Sequence, residues 1–189
     1  VATVTAIRDI NKVLELLRWF EKRNDRSALL FRLGINTALR IGDLLDIKYT
    51  HVFDPAGRFR EYLHLNENKT GKERKVKLND KIRPHIKKYC EFYEMVGEDY
   101  LFFSNDDPNN HMHRVTAWRA LKAGADACGI EHFGTHTLRK TAGYHIYQKS
   151  GNDIALVMTL LNHSNPKVTL RYIGASQQEV DKALQEFGI

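Results

Sequence analysis

The sequence predicts an α+β fold, mainly α-helical, with one small three-stranded antiparallel sheet. Three observations carry that prediction. Residues 5–22 repeat apolar side chains every three and four positions, residues 47–78 shift toward a period of two, and the segment from 113 onward breaks into short helical stretches punctuated by Gly, Asn and Pro.

The first helix follows from Ile7, Ile10, Leu14, Leu17 and Phe20, which form one apolar stripe in "TAIRDINKVLELLRWFEK". A second is expected in "SALLFRLGINTA", where Leu29, Leu30, Leu33 and Ile35 call for burial, and a short third in "IGDLLDI", with Arg40 at the junction between them. "IKYTHVF", "FREYLHL" and "RKVKL" are then read as a three-stranded meander joined by the turn signals "DPAG" and "NKTGKE". In its last strand Val76 and Leu78 face one way and Lys75 and Lys77 the other, so the sheet offers a basic face to solvent or a ligand. Asn79 opens a helix that tolerates Pro84 in its first two turns. "YLFFS" reads as a short strand or core segment, followed by a turn-rich loop. Helices are expected at 113–128, 136–149, 153–162, 166–173 and 177–187. Gly151 suits a helix end, Asn152 or Asp153 a cap, and Asn165 with Pro166 a helix start.

A chain of 189 residues with 42% hydrophobic content can bury one substantial core. No internal repeat or linker divides it, so residues 1–189 are read as a single domain. Apolar runs such as "DIALVMTLL" fall short of the roughly 20 residues that span a bilayer, and no signal sequence opens the chain; a cytoplasmic protein with no membrane partner is expected. Cys90 and Cys128 are read as buried, reduced thiols. The first residue is Val, which suggests a piece of a longer chain.

The net charge of +6 points to a polyanionic partner, and its distribution is uneven. Residues 58–88 hold eleven Lys and Arg against four Asp and Glu, a local +7 that leaves the rest of the chain at −1. Lys72, Arg74, Lys75 and Lys77 are the candidates for phosphate contacts in that stretch. A solvated face is the commoner meaning of such a run, so the reading depends on other motifs.

Those motifs are ordered along the chain. His136 and Arg139 in "HTLR" stack on one face of a helix. Arg40 follows a buried helix and needs an anion, either Asp43 or Asp46 or a ligand phosphate. Each alone is more often an ion-paired or surface residue. Together, Arg40, a turn lysine at Lys69, His136 and Arg139, then His163 and Tyr172 in "NHSNPKVTLRYIG" resemble the tyrosine recombinases, the phage-integrase type. The resemblance covers the whole chain, and five motif elements in order make it specific.

It implies a catalytic domain that cleaves and rejoins DNA through a 3′-phosphotyrosyl intermediate, with no cofactor, metal or ATP. In that scheme Arg40, Arg139 and His163 bind the scissile phosphate, and His136 donates to it or moves the tyrosine's proton. Lys69, with Lys72 as its rival, protonates the departing 5′-oxygen. Tyr172 is the nucleophile, and Asp43 supports the arginine and histidine. The chemistry is coherent, because guanidiniums match phosphate geometry and stay charged, so they can stabilise the transition state without a metal. The implied partners are double-stranded DNA, further copies of the chain in a synaptic tetramer with the tail 176–189 exchanged between them, and accessory excision or DNA-bending factors. The implied setting is the bacterial cytoplasm and the integration or excision of a mobile element.

Two departures stand out. Asn162 occupies the place where the family most often has Gly, and the helical core-binding domain that members carry upstream is not among these residues, so weak DNA binding is expected. The rival readings are a topoisomerase IB-like enzyme that swivels one strand and a non-catalytic DNA-binding regulator. A metal-dependent nuclease would need clustered carboxylates, and Asp106 and Asp107 are only a turn pair.

Overall fold

A computed structural model of the chain describes residues 4–69, 71–174 and 185. Apart from residue 185, the predicted tail helix at 177–187 lies outside the described residues, as does its exchange between subunits. The helix α1 (Ile10–Glu21) is capped by Asp9, whose carboxylate accepts from the Asn11 N–H. It packs against α2 (Asp25–Thr37), which also touches α7 (Thr137–Lys149), α5 (Arg83–Phe92) and α6 (Arg114–Ala127) and so forms the centre of the larger core. Gly34 makes the α2–α7 contact as close as it is, since a Cβ there would lie 2.5 Å from Leu138 Cδ1.

The main apolar cluster joins α1, α2, α5 and α6 with the sheet's inner face, including Phe20, Phe31, Leu63, Val76 and Phe102. A smaller one joins Ala38, Ala142, Tyr147, Val157, Leu161 and Ile173, where α7 meets α8 (Ile154–Leu161) and α9 (Pro166–Ile173). Asp153 caps α8 by accepting from the Leu156 N–H, and Asn165 caps α9 by accepting from the Val168 N–H, with Pro166 at the first helical position.

The sheet differs from its prediction. It has two strands, β1 (Tyr62–Asn66) and β2 (Glu73–Lys77), paired antiparallel with Leu63 opposite Val76 and Leu65 opposite Arg74. The short helix expected in "IGDLLDI" is present as α3 (Ile41–Leu45), but the segment read as a first strand, residues 47–53, instead forms the single turn α4 (Tyr49–Val52). Two local contacts favour that turn. His51 Nδ1 accepts from the Lys48 N–H at 3.1 Å, and Tyr49 stacks on Phe53 four residues on, with centroids 4.6 Å apart. Only single bridges remain of the extended pairing, Phe53 to Phe59 and Lys48 to Tyr100.

Candidate active site

The site lies at the seam between the two apolar clusters, where two helices end. The helix α2 ends at Ala38 and α8 at Asn162, both left-handed, with φ of 53° and 49°. Such ends leave carbonyls unpaired and carry partial negative charge. Arg139, 2% exposed on α7, meets that need: Nη1 donates to the Ala38 carbonyl at 2.5 Å and Nη2 donates to the Leu161 carbonyl. A guanidinium has five N–H groups, so further donors remain for an anion. Burial, together with the charges of Arg74 and Arg40, lowers the Arg139 pKa to about 10, which still leaves it protonated at neutral pH.

Tyr172 comes from the second turn of α9, half-buried, and its hydroxyl lies 3.2 Å from His136 Nδ1. The His163 ring meets the Tyr172 ring edge to face, with centroids 5.1 Å apart. Lys140 Nζ lies over the same tyrosine, 5.0 Å from its centroid. Burial raises the Tyr172 pKa, while the charge of Arg139, a hydrogen bond from it, and the charge of Arg40 pull the other way. Burial lowers the pKa of His136, helped by Arg139, Lys140, Arg40 and Lys69. A neutral His136 can therefore accept the phenolic proton.

Burial and the two arginines also lower the His163 pKa. Thr169 donates its hydroxyl to the Asn165 carbonyl at 2.9 Å, so its oxygen accepts from His163 Nδ1 at 3.2 Å. That leaves Nε2 for a ligand, and an anion there would favour the protonated, donating ring.

Arg40 occupies the position just before α3, with one fifth of its side chain exposed and no side-chain bond to the helix end. Its Nη1 lies 2.8 Å from Glu67 Oε2, an ion pair without an aligned N–H···O bond. Glu67 is the residue that sequence reading passed over. Its signal was the strand period, since Leu63, Leu65 and Glu67 alternate onto the buried face, and a buried carboxylate needs cations.

Asp43, expected to support the arginine and histidine, is found at the hairpin, where Oδ1 accepts from the Asn68 N–H at 3.0 Å. This anchors the turn that holds Lys69, which is exposed but near enough for its charge to act on His136. Among the basic residues of the hairpin, Lys72, Lys75 and Lys77 are exposed, with Lys75 Nζ 4.0 Å above the Tyr62 ring and Lys77 paired to Glu61 at 3.2 Å. Arg74 points inward beside Val76 and bonds Glu67 and the Leu160 carbonyl. Among the described residues no three His, Cys, Asp or Glu side chains are placed to hold a metal ion.

Three arginines and one carboxylate give the pocket a fixed charge of +2. A phosphodiester carries −1 and gains a second negative charge as it is attacked, so the pocket matches the transition state better than the ground state. A tyrosine hydroxyl bonded to a histidine, beside buried guanidiniums, on a mainly helical fold with a two-stranded hairpin, is an arrangement suited to phosphoryl transfer through a tyrosine.

The phage integrase family matches residues 5–179, and the chain belongs to that family, the DNA strand-exchange enzymes known as tyrosine recombinases. It is 38% identical over 185 residues to a probable integrase/recombinase, YoeC, of Bacillus subtilis strain 168, covering 98% of this chain and 97% of that protein. The fold matches the crystal structure of XerA recombinase with a TM-score of 0.77 at 18% identity, over 99% of this chain and 65% of that one. It matches XerH recombinase bound to a palindromic difH substrate, a post-cleavage complex, with a TM-score of 0.74 at 21% identity, over 91% of this chain and 50% of that one. The chain thus spans nearly all of the Bacillus relative and about half to two thirds of the crystallised recombinases. No helix among the described residues is long and apolar enough to cross a membrane.

Proposed function

We propose that residues 1–189 form the catalytic domain of a site-specific recombinase that cuts and rejoins double-stranded DNA through a 3′-phosphotyrosyl bond. The observation that carries this reading is the Tyr172 hydroxyl bonded to His136 within a pocket of fixed positive charge. Arg40 and Arg139 bind the non-bridging oxygens of the scissile phosphate, and His163 adds a third donor. His136 takes the phenolic proton as the Tyr172 oxygen attacks phosphorus. The bond from phosphorus to the 5′-oxygen breaks, and Lys69 gives that oxygen its proton. The phosphotyrosyl bond retains the energy of the phosphodiester, so the reverse step needs no ATP. Asp43 holds the lysine's turn, and Lys72, Lys75 and Lys77 face the DNA backbone.

Integration or excision of a mobile element is the reaction proposed, supported by the family's description and by the integrase/recombinase relative. Synapsis would bring four copies together on DNA. The test is incubation in EDTA with a DNA duplex nicked near the cleavage site, followed by denaturing electrophoresis. A covalent adduct present in the wild type and absent in Tyr172→Phe, with DNA binding retained, supports the reading. A wild type that binds DNA and forms no adduct refutes it. Exchange between two marked duplexes then separates recombination from strand swivelling.

A further inference from the structure

Glu67 has no part in the chemistry set out above, although it touches three distant parts of the fold. It is 1% exposed. Oε1 lies 2.9 Å from Arg74 Nη1, and Oε2 lies 2.8 Å from Arg40 Nη1 and accepts from Asn162 Nδ2 at 3.3 Å. Arg74 extends the chain of contacts, with Nη2 donating to the Leu160 carbonyl at 2.6 Å and to the Thr37 carbonyl at 3.4 Å. One buried anion thereby joins the start of α3, the strand β2 and the end of α8.

We propose that Glu67 is a positioning residue for DNA cleavage, holding Arg40 for the scissile phosphate and, through Asn162, fixing the backbone that presents His163. The inference rests on the recombinase reading of the site. Its logic is geometric. Asn162 is left-handed, with φ 49° and ψ 47°, a conformation that Asn tolerates better than most L-residues. Its amide is tied to the hairpin, and the next residue is His163, whose N–H donates to the Met158 carbonyl at 2.9 Å. A shift of Glu67 thus reaches one phosphate ligand directly and a second across a single peptide. Asn162 thereby makes a contact that glycine, with no side chain, cannot make.

Charge sets the signature. Neutralising Glu67 raises the fixed charge of the pocket from +2 to +3, which favours ground-state binding of DNA, while freeing Arg40 to leave the geometry that the transition state needs. Binding and cleavage should therefore separate, whereas a general loss of structure would weaken both.

The test uses the full chain and single-turnover adduct formation on the nicked duplex, with DNA affinity by mobility shift and thermal melting alongside. Glu67→Gln is expected to slow cleavage about 10- to 100-fold, the scale of a small misplacement, with DNA affinity no weaker than wild type. Asn162→Gly keeps the left-handed backbone and removes only the amide, and is expected to slow cleavage by a smaller factor with an unchanged melting curve. In an Arg40→Ala background the Glu67 substitution should cost less than it does alone, and no more than Asn162→Gly costs, because only the path through Asn162 to His163 remains. Wild-type rates in both single variants overturn the proposal, as does an undiminished Glu67 effect without Arg40. Should Glu67→Gln not fold, Asn162→Gly decides, and a wild-type rate there also overturns it. A wild type without a Tyr172-dependent adduct sinks the recombinase reading and this inference together; a wild-type adduct with unaffected variants sinks the inference alone.

Discussion

Replacing Arg139 by Met should give a folded protein that no longer cleaves DNA. The substitution keeps most of the side-chain volume and removes every donor. Two carbonyls at helix ends, Ala38 and Leu161, lose their partner, at about 1–3 kcal/mol each and so about 2–6 kcal/mol in all. Against that, the guanidinium is itself disfavoured where it sits. Burial and the neighbouring Arg74 and Arg40 bring its pKa down to about 10, which corresponds to about 3 kcal/mol of cost in the charged form that the variant no longer bears. The balance lies between a gain of about 1 and a loss of about 3 kcal/mol, a melting temperature within about 12 °C of wild type for a chain of this length. Cleavage has no such compensation. Loss of a charged donor to the transition state should slow adduct formation by about 10³-fold. Circular-dichroism melting and adduct formation on the nicked duplex measure the two quantities. A folded Arg139→Met that cleaves within tenfold of wild type would refute the phosphate role, and a variant unfolded at 25 °C would refute the compensation.

Four further outcomes follow from the same geometry. Because His136 must be neutral to take the phenolic proton and its pKa is held below the ordinary 6.5, cleavage should persist down to pH 6.5 and fall below it; His136→Gln should abolish that acid limb and slow cleavage about 10²- to 10⁴-fold. The native pKa values of His136 and His163 both lie below 6.5, so the unfolded chain takes up more protons beneath that pH, and thermal stability should decline as pH drops through it. Lys69→Ala should cleave an ordinary duplex poorly and recover on a substrate whose bridging 5′-oxygen is replaced by sulfur, since a thiolate leaves without a proton; no recovery would argue against the general-acid role. Gly143→Ala would place a Cβ 2.9 Å from Ile173 Cγ2 and 3.3 Å from Leu161 Cδ1, forcing α9 away from α7 at a cost of about 1–3 kcal/mol. Cleavage should suffer more than the melting temperature, because Ile173 adjoins Tyr172.

The order and spacing of the candidate site residues, and most of the helices that carry them, were legible along the chain. The α1 stripe, the Asp153 and Asn165 caps and Pro166 are set by neighbours within a turn or two of the chain. The alternation of Lys75 and Lys77 against Val76 and Leu78 was legible for the same reason. Around Tyr49, local rules competed, and a stacked Tyr49–Phe53 pair with a His51 cap favoured a helical turn over a third strand.

Who partners whom inside the site depends on contacts between distant parts of the chain. That helix ends need donors is known from sequence; that Arg139 supplies one to Ala38, 101 residues away, is not. Likewise Asp43 was the nearer acid to Arg40 along the chain, yet the hairpin folds back and places Glu67 against the guanidinium while Asp43 holds the Lys69 turn. Periodicity reports which side of an element faces inward, whereas the partner it meets there depends on how separate elements pack. The charge balance of this pocket arises from that packing.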